Sequence, residues 1–165
     1  MSDVLCIYYS RSGNTRKAAE EIGEALGAEI VEISDGQAYS GWGGYMQAGM
    51  AAMRRSTRKL TPFQTEKNIE DYRLVVVATP VWAGRCAAPI RSLLKRRGLE
   101  MHRVAYVLTR SGSRRCEAVY DQMDLYTGAK HLFAVSLQPE SVGYVTWRDH
   151  FIHDAQKYLE QNDAG

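Results

Sequence analysis

The sequence predicts a three-layer α/β fold, a doubly wound five-stranded parallel sheet of order 2-1-3-4-5 with helices on both faces. Three observations predict it. Val4–Tyr9, Leu74–Thr79 and Val104–Thr109 are unbroken apolar runs, the pattern of strands buried on both faces. Strand-like runs alternate with segments of helical spacing, five of each along the chain. Right-handed crossovers then leave few topologies, and in this one the ends of the first, third and fourth strands gather at a switch point.

Val4–Tyr9 leads through Ser10–Thr15 into a helix over Lys17–Leu26, whose Ala18, Ile22, Ala25 and Leu26 recur at helical spacing and whose stop is Gly27. Ala28–Ile33 is a short second strand. Asp35–Gly44, rich in Gly, Ser and Tyr, reads as an irregular loop before a second helix with Tyr45, Met46, Gly49, Met50 and Met53 on one face. That methionine stripe reads as core filling. The third strand, Leu74–Thr79, ends in Pro80, and Pro89 opens a helix with Ile90, Leu93 and Leu94 that closes at Gly98. Val104–Thr109 is the fourth strand. A loop at Arg110–Arg115, a helix to about Tyr126 and a fifth strand at His131–Leu137 follow. The last helix starts from a capping box at Thr146–Asp149 and buries Phe151, Ile152, Ala155 and Leu159.

At 165 residues the chain suits one domain, residues 1–165, large enough to cover a full sheet. No apolar run is long enough for an integral membrane segment and no signal pattern opens the sequence, which implies a cytoplasmic protein. Cys6, Cys86 and Cys116 lack C-x-x-C spacing and read as free thiols, with no disulfide framework and no zinc site. His150 and His153 have no third ligand nearby, so no metal is expected. A net charge of +2 is too mild for nucleic acid binding. Cys86 and Arg91 sit one residue too close for a phosphatase C-x5-R signature, and Cys86 reads as small-residue packing.

The loop S-R-S-G-N-T carries the first functional signal. A loop opening onto a helix start presents unpaired backbone N–H groups at the positive end of the helix dipole, and Ser10, Ser12, Asn14 and Thr15 add side-chain donors. The string is also what an ordinary capped turn prefers. Neither G-x-x-x-x-G-K-[ST] nor G-x-G-x-x-G is present, so a terminal monophosphate fits better than a nucleoside triphosphate or a dinucleotide. Ser10–Thr15 resembles the [ST]-x-[ST]-G-x-T phosphate loop of flavodoxin-like proteins, which hold FMN by its phosphate. T-P-V-W-A-G, followed by a proline-started helix, resembles the segment that wraps the flavin ring in that family.

The resemblance spans nearly the whole chain and implies FMN as cofactor. Ser10, Arg11, Ser12, Gly13, Asn14 and Thr15 would then take the phosphate. Pro80, Val81, Trp82, Ala83 and Gly84 would meet the ring, with Trp82 stacked on it. Ser111, Gly112 and Ser113 would supply backbone amides to its edge. Electron-carrying flavodoxins have an aromatic residue in the third loop and acidic surroundings, whereas this loop offers Arg110, Arg114 and Arg115 and no aromatic before Tyr120. An open ring face and nearby positive charge suit hydride exchange with a nicotinamide or a quinone, and these arginines equally suit the 2′-phosphate of NADPH.

The resemblance therefore implies an NAD(P)H-dependent oxidoreductase reducing a quinone-like or small aromatic acceptor, with flavin N5 doing the chemistry and no catalytic side chain. The alternative is an electron-transfer flavodoxin serving a redox partner protein. A fold that has lost its cofactor and serves as an interaction module is a third reading. Arg16-Lys17 after the loop is similar to the pattern in menaquinone-dependent protoporphyrinogen oxidases. Assembly into a homo-oligomer, as in quinone reductases of this fold, stays open.

Overall fold

The computed structural model describes residues 2–34, 60, 62–112 and 116–162. The loop expected at Asp35–Gly44, the helix expected around Tyr45–Met53, and Ser113, Arg114 and Arg115 lie outside the described residues. Strand β1 (Val4–Tyr8) is buried at every position and pairs in parallel with β2 (Glu29–Glu32) on one side and β3 (Leu74–Trp82) on the other. β5 (Val104–Thr109) and β6 (Ala134–Leu137) extend the sheet, giving the order β2-β1-β3-β5-β6, while the two-residue strand β4 (Arg85–Cys86) folds back on β3. With β4 set aside, this is the 2-1-3-4-5 order that the sequence predicts.

The alternation of side chains along each strand explains the continuous apolar runs. Leu5, Ile7, Val75, Val77, Tyr106 and Leu108 face one helical layer, formed by α2 (Ala88–Arg97) and α3 (Ala118–Thr127). Val4, Cys6, Val76, Ala78, Ala105 and Val107 face the other, formed by α1 (Asn14–Leu26) and α4 (Tyr144–Gln161). Both faces are core, so neither parity of residue can be polar. Among the described residues no helix is long and apolar enough to cross a membrane, and Cys6, Cys86 and Cys116 are in no disulfide.

Several boundaries differ from those expected. β3 runs past Thr79 through Pro80 to Trp82. Backbone groups along β3 alternate between neighbours: Val75 N–H donates to Arg103 O on the β5 side, and Ala78 O accepts from Tyr9 N–H on the β1 side. Pro80 therefore turns to the β1 side, beyond the last β1–β3 pair at Tyr8 and Ala78, where no N–H is needed. β6 starts at Ala134 rather than His131, because the His131 N–H and ring are drawn to the Asp124 carboxylate at 3.1 and 2.9 Å. α4 starts at Tyr144, with Thr146 already inside it and no side-chain cap. Burial of the Tyr144 ring, whose hydroxyl donates to Glu21 on α1 at 2.6 Å, sets that start in place of a capping box.

Gly98 closes α2 as expected. It has helical φ of −59° and carries the chain into a 3₁₀ turn, Gly98–Glu100. Its role is space, since a Cβ there would lie 2.7 Å from the Tyr126 carbonyl oxygen on α3. Gly98→Ala must push α2 and α3 apart, and we expect a loss of about 1–3 kcal/mol, the usual cost of overpacking. An unchanged urea midpoint for that variant would show that the contact yields freely.

Candidate functional site

At the sheet's C-terminal edge β1 sends the chain to α1 on one face and β3 sends it to α2 on the other, so a crevice opens between them. Its first wall is the loop Tyr9–Gly13 and the start of α1. The helix begins at Asn14, earlier than expected, because Gly13, at φ 99°, turns the chain into it directly. The Ser10 hydroxyl accepts from the Gly13 N–H at 3.0 Å, so Ser10 braces the loop and does not line the crevice. Gly13 has no capping side chain and the first turn of α1 holds no acid. Its leading N–H groups thus face the crevice with the dipole's positive end unanswered. Arg11, Ser12, Asn14 and Thr15 line this end. Thr15 is 1% exposed, and its hydroxyl lies 2.7 Å from that of Thr109, which ties α1 to the end of β5.

Arg16 and Lys17 are engaged elsewhere. Arg16 binds the Glu32 carboxylate at 2.8 Å and the Tyr8 hydroxyl at 3.3 Å, and the Lys17 ammonium sits 5.2 Å from the centre of the Tyr144 ring. Hydrogen bonding to Glu32 and burial together push the Tyr8 hydroxyl up to about 12, burial contributing most.

The second wall is the end of β3. Pro80, Val81, Trp82 and Ala83 line the crevice, whereas Gly84 stands at the tip of the turn joining β3 to β4. Ala83 and Gly84 both have positive φ, 51° and 73°, which is the type I′ hairpin geometry that matches strand twist. Trp82 is 8% exposed and meets Tyr9 edge-on, ring centroids 5.5 Å apart. The same indole is core on one side and crevice wall on the other. Alanine is a poor choice at left-handed φ, and Asn-Gly is the preferred pair. We therefore expect Ala83→Asn to stabilise by about 0.5–1 kcal/mol, a rise of about 1–4 °C in thermal midpoint; a fall would show that Ala83 makes a contact the crevice needs.

Cys86 follows this turn and is 2% exposed. Burial pushes its thiol up to about 11 against the pull of Arg91 and Arg85. That is the setting of a packed side chain, not of a thiolate nucleophile.

The third wall contains Thr109, Arg110 and Ser111, with Gly112 just beyond. Arg110 is spent largely on the fold: its N–H donates to Leu137 O at 2.9 Å, its Nε–H to the Ser136 hydroxyl at 2.8 Å, and its Nη1 to Gly112 O and to Gln138 Oε1. Tyr120 is stacked on Tyr106 in the core, centroids 6.3 Å apart, and brings no aromatic face to the crevice.

A fourth wall was not foreseen. The turn after β6, Gln138–Ser141, closes the crevice opposite the first loop, bringing Gln138, Pro139, Glu140 and Ser141 into its lining. Ser141 N–H and hydroxyl both bond to Gln138 O, at 3.0 and 2.8 Å, which sets this as a tight turn with proline at its second position. Gln-Pro-Glu-Ser directly after a strand run is a turn signal that places a loop at this edge of the sheet. The enclosed volume is about 610 Å³, in the range of cofactor clefts. Its charged lining residues among those described are Arg11, Arg110 and Glu140.

Solved structures share this architecture. A flavoprotein from Lactobacillus acidophilus, determined in complex with FMN, superposes with a TM-score of 0.65 at 23% identity, over 89% of this chain and 99% of that one. A protein from Bacteroides eggerthii described as a candidate flavoprotein gives 0.71 at 21% identity, over 91% and 98%. A flavodoxin, WrbA-like protein from Agrobacterium tumefaciens gives 0.63 at 14% identity, over 97% and 99%. At these identities the likeness shows a common fold. No curated protein matches the chain in sequence. The family model described as flavodoxin matches residues 3–130, most of the chain, and with the sheet order and the strand-loop-helix opening this establishes that the chain belongs to the flavodoxin family.

Proposed function

We propose that this chain binds FMN in the crevice and uses it as an NAD(P)H-dependent oxidoreductase, acting on a quinone-like or small aromatic acceptor. The observation that carries the cofactor reading is the start of α1, uncapped and free of acids, opening on the same crevice that Trp82 walls. A phosphate there would take the leading N–H groups of α1 and the side chains of Ser12 and Asn14, with Arg11 beside them. Ser10 and Gly13 serve by shaping the loop, and Thr15 by locking it to Thr109. Trp82 would lie against the ring, and the backbone of Ala83, Gly84, Ser111, Gly112 and Ser113 would meet its polar edge. Bound FMN supplies hydride or single-electron transfer through its N5.

The enzymatic reading rests on what faces Trp82. Among the described residues the lining opposite is Arg110, Ser111, Gln138 and Glu140, without a second aromatic wall. That leaves room for a flat substrate and sets positive charge where electron density would rise. A redox partner protein is the second reading, favoured by the exposed Val142, Val145 and Trp147 just past the fourth wall. Cysteines outside any disulfide among the described residues fit action in the cytoplasm.

The purified protein titrated with FMN should show a perturbed flavin absorption spectrum and quenched emission. Steady-state oxidation of NADH and NADPH with menadione then separates the readings. Turnover no faster than that of free FMN removes the enzyme. Photoreduction through a long-lived one-electron form favours the carrier.

A further inference from the structure

The bonds between the third and fourth walls determine which way the Ser111–Gly112 peptide points. Gln138 Nε2 donates to Ser111 O at 3.2 Å. Arg110 Nη1 donates to Gly112 O and also to Gln138 Oε1, the latter at 3.4 Å, while Arg110 Nε–H is fixed on Ser136. Gln138 is itself held, because its carbonyl accepts both bonds from Ser141. The side chain therefore reaches from a rigid turn to the loop opposite.

A trans peptide directs its C=O and its N–H to opposite sides, and no peptide among the described residues is cis. Drawing Ser111 O towards β6 therefore turns the Gly112 N–H away from β6. That N–H has no hydrogen-bond partner among the described residues. Gly112 is exposed, and nothing lies within 4 Å of where a Cβ would stand. The loop offers an unspent donor whose direction is set by a side chain from another strand.

We propose that Gln138 is a positioning residue for the cofactor, acting through the Ser111–Gly112 peptide to aim the Gly112 N–H at the electron-rich edge of the flavin. The inference deepens the FMN reading above and rests on it. The donor strengthens as negative charge grows on its acceptor, so Gln138 favours reduced FMN over oxidised FMN and raises the reduction potential. Arg110 belongs to the same device as the brace that holds Gly112 O and Gln138, which leaves its Nη2 as the group still able to meet a substrate anion.

Two variants test this. Gln138→Met keeps the length and loses both bonds; Gln138→Glu keeps an acceptor for Arg110 but cannot donate to Ser111 O. Both should bind oxidised FMN about tenfold more weakly, the worth of one hydrogen bond, and reduced FMN about a further tenfold more weakly, a fall of about 30 mV for a two-electron couple. Affinities come from fluorescence titration and potentials from equilibration with a reference dye. Wild-type affinity and potential in both variants would overturn the role of Gln138 and leave FMN binding standing. Failure of the wild type to bind FMN would remove the reading beneath it. A variant that melts well below the wild type, or loses affinity with the potential unmoved, makes Gln138 a residue of the fold and overturns the assignment.

Discussion

Asn14→Asp should make the cofactor-free protein more stable and its cofactor binding far weaker. Asn14 is exposed and is the first residue of α1, whose opening turn contains no acid. A carboxylate there meets the positive end of the helix dipole, a gain of about 0.3–1 kcal/mol, or about 1–4 °C in thermal midpoint. A phosphate held by the same N–H groups meets that carboxylate as a like charge. At about 4 Å and an effective dielectric near 20 the repulsion is on the order of 4 kcal/mol per pair of charges, enough to raise the FMN dissociation constant about a hundredfold or more. Thermal melts of the cofactor-free protein and fluorescence titrations read the two effects separately. The opposite signs are the test, because damage to the fold cannot raise one and lower the other. An affinity within about threefold of wild type would place the phosphate away from α1.

Trp82→Ala should have the second large effect, and it falls on both fold and site. The indole is 8% exposed and packs against Tyr9 within the α2–α3 side of the core, so its removal should cost about 3–5 kcal/mol of stability. On the FMN reading, its crevice side would supply the flat surface for the ring, worth about 0.5–1.5 kcal/mol beyond buried area. The FMN dissociation constant should rise about tenfold or more. Trp82→Phe separates the two roles, since it keeps an aromatic face with a smaller cavity and should fall between wild type and alanine in both measurements. The emission of bound FMN gives the direct readout. Stacked indole quenches it, so bound FMN in Trp82→Ala should be brighter. Emission as weak as that of wild type would show that the ring lies elsewhere.

The residues that were legible and those that were not divide along a physical line. Ser12, Asn14 and Thr15 could be placed at the crevice because a strand, a loop and a helix in succession bring neighbours in the chain to one wall. Trp82 could be placed there because it lies just past the apolar run Leu74–Thr79. Ser10 stands outside the crevice lining, with its hydroxyl oxygen accepting from the Gly13 N–H and its own proton left to donate. Arg110 looked like a free cation beside the ring, but Ser136, Leu137 and Gln138, about 28 residues on, engage it. Its charge was readable and its partners were not.

Local pattern by itself determined the alternation of buried strands and covering helices and the helix start that can hold an anion, because each depends on residues close together in sequence; the sheet order followed from that alternation through the right-handed crossover rule. Tertiary structure alone decided the rest. It carried β3 through Pro80, started α4 at Tyr144 where burial outweighed a capping signal, and brought Gln138–Ser141 across the sheet edge to close the crevice. Those outcomes depend on which strands become neighbours, and a side chain from one strand can aim a peptide on another only after the sheet has formed.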